Sequence, residues 1–130
     1  MAYEIPGFSL TLPAATGLAQ FRMVKLNTSG YCAYPNASTV GEAIIGVITS
    51  EGTTGSTVEP QYVTVQVSGV AKVSAPASTV AKGDLITAST LGQVQSSSNA
   101  GDYAVGWVVD GSSGGAGRIL SVLLLPVGST

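Results

Sequence analysis

Few side chains in this 130-residue sequence have the types and spacing that catalysis requires. Histidine, the most common general base and a frequent metal ligand, is absent. Cys32 is the single cysteine, and it lies between Tyr31 and Tyr34 without a base that could activate it as a nucleophile. We therefore expect Cys32 to be a small buried apolar residue, and we predict that the chain is not an enzyme.

Acidic residues are the remaining candidates for general acid–base chemistry or for a calcium site. The candidates are Glu42, Glu51, Asp84, Asp102 and Asp110. Four of them occur in the pairs Gly41-Glu42, Glu51-Gly52, Gly83-Asp84 and Asp110-Gly111. Acidic side chains beside a glycine are commonly solvated turn residues, so we predict neither a metal site nor another cofactor.

The glycine-rich run from Gly111 to Gly117 could suggest a phosphate-binding loop. Such a loop needs a Lys-Ser/Thr pair and a following helix whose N-terminus faces the phosphate. Here the run leads into Arg118 and a strand-like pattern, so we interpret it as a flexible hairpin loop.

The charge balance excludes several classes of partner. Five basic and seven acidic residues give a net charge of −2, without the basic patch that nucleic-acid binding needs. The longest apolar run, residues 119–127, is far shorter than the ~20 residues of a membrane helix. Nor does the N-terminus show a secretory signal pattern. Only 9% of the residues are charged, against about 25% in typical soluble domains, which favours a protein that works inside an assembly.

The elements that would position these residues are β-strands. Helix-forming residues are sparse, and period-two alternation recurs between turns rich in Gly, Pro and Asn. The strongest alternation runs from Tyr62 to Ser74 and is reset at Gly69, which indicates a bulge or a sharp bend at a barrel corner. The sequence therefore predicts an all-β, small single-domain β-barrel.

The first 19 residues are interpreted as an extended N-terminal arm, and residues 20–130 as the β-barrel domain. Pro6 and Pro13 interrupt the arm, and between them Phe8 to Leu12 alternates in a way that fits an edge strand. On this interpretation, deletion of residues 2–12 should leave the barrel folded.

A weak internal symmetry links the two halves of the chain. The pattern Gly-acidic-x-x-x-Gly-x-apolar starts at Gly41 and again at Gly101, and each occurrence follows a turn that contains Gly30 or Gly92. A duplicated strand unit is one explanation. Two barrel strands that each need a glycine at a crowded corner are the other.

Four short motifs carry a resemblance to a known family. They are Gly69-Val-Ala-Lys-Val73, Gly83-Asp-Leu-Ile-Thr87, Gly101-Asp-Tyr-Ala-Val-Gly-Trp-Val-Val109 and Arg118-Ile-Leu-Ser-Val-Leu-Leu-Leu125. Their order resembles the capsid cement (head decoration) proteins of tailed bacteriophages over roughly residues 60–127, and more loosely over residues 20–50. The resemblance implies a β-tulip-like barrel, with a jelly roll as the alternative.

The resemblance also implies a structural virion protein, made in the bacterial host cytoplasm and bound to the outside of the mature capsid. There it would bridge neighbouring major capsid proteins, as a homotrimer, and need no small-molecule substrate. Apolar residues of the arm would then form an interface with a neighbouring subunit or with capsid protein. These residues are Tyr3, Ile5, Phe8, Leu10 and Leu12.

Two other classes of function stay open. One is a phage fibre or a tail-associated β module, which shares the low charge of an assembly protein. The other is a carbohydrate-binding β domain, in which Trp107 and the scattered tyrosines would have to supply the stacking platform.

Overall fold

The computed structural model describes residues 4–14, 16–35, 44–50, 53–54, 61–75, 80–89, 92–96, 103–111 and 118–129. These residues form β-strands and turns and contain no helix. Accordingly, this part of the chain offers no helix of the length and apolar character that crossing a membrane would take. The prediction of an all-β, single-domain barrel protein is confirmed.

The strands follow one another along the chain with short connections. They are β1 (Ile5–Pro6), β2 (Ser9–Ala14), β3 (Gly17–Leu18), β4 (Met23–Leu26), β5 (Cys32–Ala33), β6 (Ile44–Ile48), β7 (Thr53–Thr54), β8 (Gln61–Gln66), β9 (Gly69–Ala75), β10 (Leu85–Ala88), β11 (Val94–Ser96), β12 (Tyr103–Asp110) and β13 (Arg118–Ser129).

The strands assemble into a closed barrel and a larger open sheet. The barrel contains five strands in the order β2-β5-β4-β6-β8. The open sheet contains six, in the order β1-β9-β13-β12-β10-β11, and β3 pairs with β7 in a separate ribbon. All pairs are antiparallel except β2 with β5.

Two apolar cores lie under these strands. The barrel interior is filled by Ala14, Leu18, Val24, Cys32, Ile48, Val63 and Val65. The open sheet covers a second core made of Met23, Ile44, Val47, Ala71, Val73, Ala75, Val80, Ile86, Ala88, Val94, Val105, Val108, Leu120, Val122 and Leu124. Because Met23 and Val47 belong to barrel strands yet lie in the second core, the barrel and the sheet are packed into one domain.

Gly69 marks the corner at which the chain leaves the barrel and enters the open sheet. Its φ of 88° is in the left-handed region, which a glycine adopts without a steric penalty. The buried side chain of Gln66 secures this corner. Its amide nitrogen Nε2 donates to the carbonyl oxygens of Ser68 at 2.8 Å, Val70 at 3.2 Å and Ile5 at 3.3 Å. The bend predicted at Gly69 is therefore present.

The N-terminal segment is more deeply integrated than the sequence indicated. Strand β2 pairs with β8 along its whole length, from Ser9 opposite Gln66 to Ala14 opposite Gln61. The pairing of Ala14 with Cys32 then closes the barrel. Residues 9–14 are thus a barrel strand rather than part of an arm, so we now expect deletion of residues 2–12 to disrupt the barrel.

The barrel and the open sheet contain two five-stranded units with the same connectivity. The first unit is β2, β4, β5, β6 and β8, and the second unit is β9 to β13. In chain order, the first strand of each unit pairs with the last, the last with the fourth, the fourth with the second, and the second with the third. This agreement favours the duplicated strand unit over two unrelated glycine-containing strands.

The strand registers of the two units also agree, at positions about 60 residues apart in the sequence. In the first unit the pairs are Met23–Val47, Val24–Gly46 and Leu26–Cys32. Their equivalents in the second unit, in the same order, are Leu85–Trp107, Ile86–Gly106 and Ala88–Val94. Because register is set independently in each ladder, agreement across several ladders is strong support for duplication.

The turns repeat as well. In the first unit, the Asn27 amide donates to the Tyr31 carbonyl and the Gly30 amide to the Asn27 carbonyl. In the second unit, the Ser89 amide donates to the Gln93 carbonyl and the Gly92 amide to the Ser89 carbonyl. Phe21, the one described non-glycine residue with a positive φ (64°), occupies the position that Gly83 holds in the second unit. The duplication therefore accounts for this unusual conformation of Phe21.

Candidate interaction surface

Cys32 lies in the barrel core and is 1% exposed, as the sequence predicted. Burial raises the pKa of the Cys32 thiol from 9.0 to about 11, because the thiolate would lose its hydration there. A neutral, enclosed thiol is a poor nucleophile and a poor metal ligand.

We expect the free energy of unfolding to fall by about 2 to 3 kcal/mol between pH 9 and pH 11 because of Cys32. The pKa is higher in the folded state, so the unfolded chain loses its proton first as the pH rises, and this favours unfolding. Urea titrations at several pH values would measure the fall, and Cys32→Ala should remove that part of it. An equal pH dependence in Cys32→Ala would contradict the assignment.

The acidic candidates within the described residues accept hydrogen bonds from backbone amides in turns. Asp84 accepts a hydrogen bond from the Ala81 amide at 2.9 Å, and Asp110 accepts one from the Gly111 amide at 2.9 Å. The pKa of Asp110 is lowered, mainly by the hydrogen bond from Gly111. Burial opposes this effect in part, and Lys82, whose Nζ lies 3.4 Å from the carboxylate, adds a smaller lowering effect. Glu42, Glu51 and Asp102 lie outside the described residues, as does the glycine-rich run 112–117.

No metal centre is formed within the described ranges, since no three Cys, Asp or Glu side chains there lie close enough to share an ion. Nor do these ranges enclose a pocket that could hold a small molecule. What the described surface does offer is exposed apolar side chains. They are Ile5, Phe8, Leu10, Leu26, Tyr62 and Leu125.

The residues predicted as an arm interface divide into two groups. Ile5, Phe8 and Leu10 are exposed by 57%, 62% and 39%. Leu12, by contrast, is partly buried and packs against the barrel core. Tyr3 lies outside the described residues. Three of the five predicted side chains are thus available for contact with another protein.

The outer face of the open sheet carries a continuous line of apolar side chains, which we call the apolar row. In the strand register, Ile5 lies opposite Val70, Val70 opposite Leu123, Leu123 opposite Trp107, and Trp107 opposite Leu85. On β9, β13, β12 and β10 the side chains beside these residues point the other way, into the core of the sheet; they are Ala71, Val122, Leu124, Val108 and Ile86. Ile5 is exposed, Leu123, Trp107 and Leu85 are half-buried, and Val70 is 9% exposed.

Trp107 belongs to this outer row and is half-buried, so it is part of neither apolar core. The sequence could not reveal the row. Period-two alternation assigns each residue to one face of its own strand, but it does not tell which strands are neighbours or in what register.

Comparison with known proteins yields a similarity of fold. No family model matches the sequence. No curated protein matches it either. Among solved structures, the chain is similar to the head fiber gp8.5 N base of bacteriophage phi29, with a TM-score of 0.66 and 12% sequence identity. The similarity covers 91% of this chain and 93% of that one.

Proposed function

We propose that this chain is a structural protein of a bacteriophage head that binds the outside of the capsid. The observation that carries the proposal is the fold similarity to the phi29 head fiber base, which spans nearly all of both chains. The resemblance of the sequence motifs to capsid cement proteins points to the same location on the particle.

The composition and the surface support this proposal. Only 9% of the residues are charged, and the side chains of Asp84 and Asp110 are engaged in turns. The exposed side chains of Ile5, Phe8 and Leu10 form an apolar strip on the N-terminal segment. We propose that this strip contacts capsid protein, that the subunits associate as homotrimers, and that they stabilise the shell by bridging neighbouring major capsid proteins.

A second candidate is the base of a head fibre, because the similar protein is itself named as one. The two candidates predict different stoichiometries. A cement protein is needed at many equivalent sites on the shell, whereas a fibre is attached at fewer positions.

Quantitative mass spectrometry of purified, DNA-filled particles would test the proposal. We expect a 12.9 kDa component at close to one copy per major capsid protein. A few copies per particle would instead support the fibre base, and complete absence from the particles would overturn both candidates.

A further inference from the structure

We propose that the corner at Gly69 positions the attachment surface, because it holds the N-terminal segment in the conformation that presents apolar side chains to a partner. The segment concerned is residues 5–8, which we call the strap. It carries Ile5 and Phe8, two of the three side chains of the apolar strip. This proposal rests on the proposed function, since it names the residues that prepare the strip for binding capsid protein. The positioning residues are Gln66, Ser68 and Gly69.

Two side chains of the corner hold the strap by hydrogen bonds. At one end of the strap, Gln66 Nε2 donates to the Ile5 carbonyl oxygen at 3.3 Å. At the other end, the Phe8 amide donates to Ser68 Oγ at 2.7 Å, and the Phe8 carbonyl accepts from the Val67 amide at 2.8 Å. Because Gln66 is 2% exposed and also donates to two carbonyls of the corner, its position is set by the corner. The strap is therefore placed by the corner and not the reverse.

Two glycines allow the strap to lie directly on the corner. A Cβ atom at Gly69 would overlap the Ile5 carbonyl oxygen and lie 2.8 Å from the Gly7 nitrogen. A Cβ atom at Gly7 would overlap Ser68 Oγ and lie 2.6 Å from the Ser68 carbonyl oxygen. The two segments are thus in direct backbone contact, and a single methyl group on either of them would push them apart.

The strap combines a fixed backbone with exposed side chains. Ile5 pairs with Val70 through β1, yet the side chains of Ile5 and Phe8 are 57% and 62% exposed. Apolar burial therefore contributes little to holding the strap, and the bonds to the corner are what order it. A segment that is ordered before it binds loses less conformational entropy on binding, which strengthens the complex. The corner thus contributes to attachment through the strap.

Two variants release the strap from opposite sides. Ser68→Ala removes the acceptor of the Phe8 amide, and Gly7→Ala inserts a methyl group between the strap and the corner. Neither variant changes a side chain of the strip or of the two apolar cores, so both should keep the urea midpoint of the wild type. Ser29→Ala is the matched control, because Ser29 is an exposed serine in the turn between β4 and β5.

Hydrogen exchange followed by NMR on the full chain would measure the order of the strap. We expect the Phe8 amide to be protected in the wild type and to exchange at least tenfold faster in Ser68→Ala and Gly7→Ala, while the amides of β8 keep their protection. Cosedimentation with phage particles prepared without the chain would measure attachment. Both variants should bind at least tenfold more weakly, and Ser29→Ala should match the wild type in both measurements.

Three results would overturn the proposal. An unprotected Phe8 amide in the wild type would show that the corner does not hold the strap. Faster exchange with unchanged binding would show that order in the strap does not contribute to attachment. Weaker binding with full protection of Phe8 would make Ser68 a contact residue instead of a positioning residue. Failure of the wild type itself to bind particles would refute the proposed function and this proposal together, whereas equal binding by wild type and variants refutes this proposal alone.

Discussion

Replacement of Gly106 by alanine is expected to lower the free energy of unfolding by about 2 to 3 kcal/mol. A Cβ atom at this position would overlap the carbonyl oxygen of Leu123 and lie 2.9 Å from its carbonyl carbon and 3.2 Å from the Leu125 nitrogen. All of these atoms belong to the backbone of β13, which pairs with β9 and β12 and cannot move without disturbing both ladders. Urea unfolding monitored by circular dichroism would measure the loss.

The duplication provides a replicate of this experiment. Gly46 is the equivalent residue of the first unit, and a Cβ there would overlap the carbonyl oxygen of Gln66. We expect Gly46→Ala to have a similar effect. Gly30→Ala is the control, since nothing lies within 4 Å of its Cβ position and only its φ of 86° is unfavourable, at a cost of about 1 to 2 kcal/mol. A smaller loss for Gly106→Ala than for Gly30→Ala would show that close backbone approach is not the reason for the glycine.

The sequence predicted most of the local structure because local structure depends on patterns within one segment. Alternation from Tyr62 to Ser74 identified both β8 and β9, and the reset at Gly69 identified the bend between them. The spacing shared by Gly46 and Gly106 was a trace of the duplication. The small number of ionisable groups also directed attention to surfaces rather than to a catalytic site.

Pairing between distant segments was beyond the sequence. Pro13 was taken as a break, because proline removes a hydrogen-bond donor from a strand. In the structure β2 pairs with β8 on one side but pairs with β5 only through Ala14. Among the described residues, the rest of that second side has no strand partner, which accommodates Pro13. The apolar row was hidden for a related reason, since its five residues are brought together only by the strand register.

Deletion of residues 2–12 is expected to abolish cooperative folding of the barrel. It would remove the β2 partners of residues 63–66 and expose Val63 and Val65, which are 1% and 0% exposed in the intact chain. Exposure of a buried valine costs about 1.5 to 3 kcal/mol, and the lost ladder and the lost packing of Leu12 add to this. The total approaches the 5 to 15 kcal/mol that typically stabilise a whole domain. Circular dichroism during thermal and urea unfolding would show the loss of the transition.

A shorter deletion separates folding from attachment. Removal of residues 2–6 takes away β1 and its two pairs but keeps β2, and Phe8 retains its bond to the Val67 amide. We expect this variant to unfold cooperatively, within about 2 kcal/mol of the intact chain. If it then fails to bind particles, the missing contact lies within residues 2–6 and is an attachment contact, because the fold is intact. A cooperative transition of normal midpoint in the longer deletion would show that β2 is dispensable and that residues 1–19 are an arm after all.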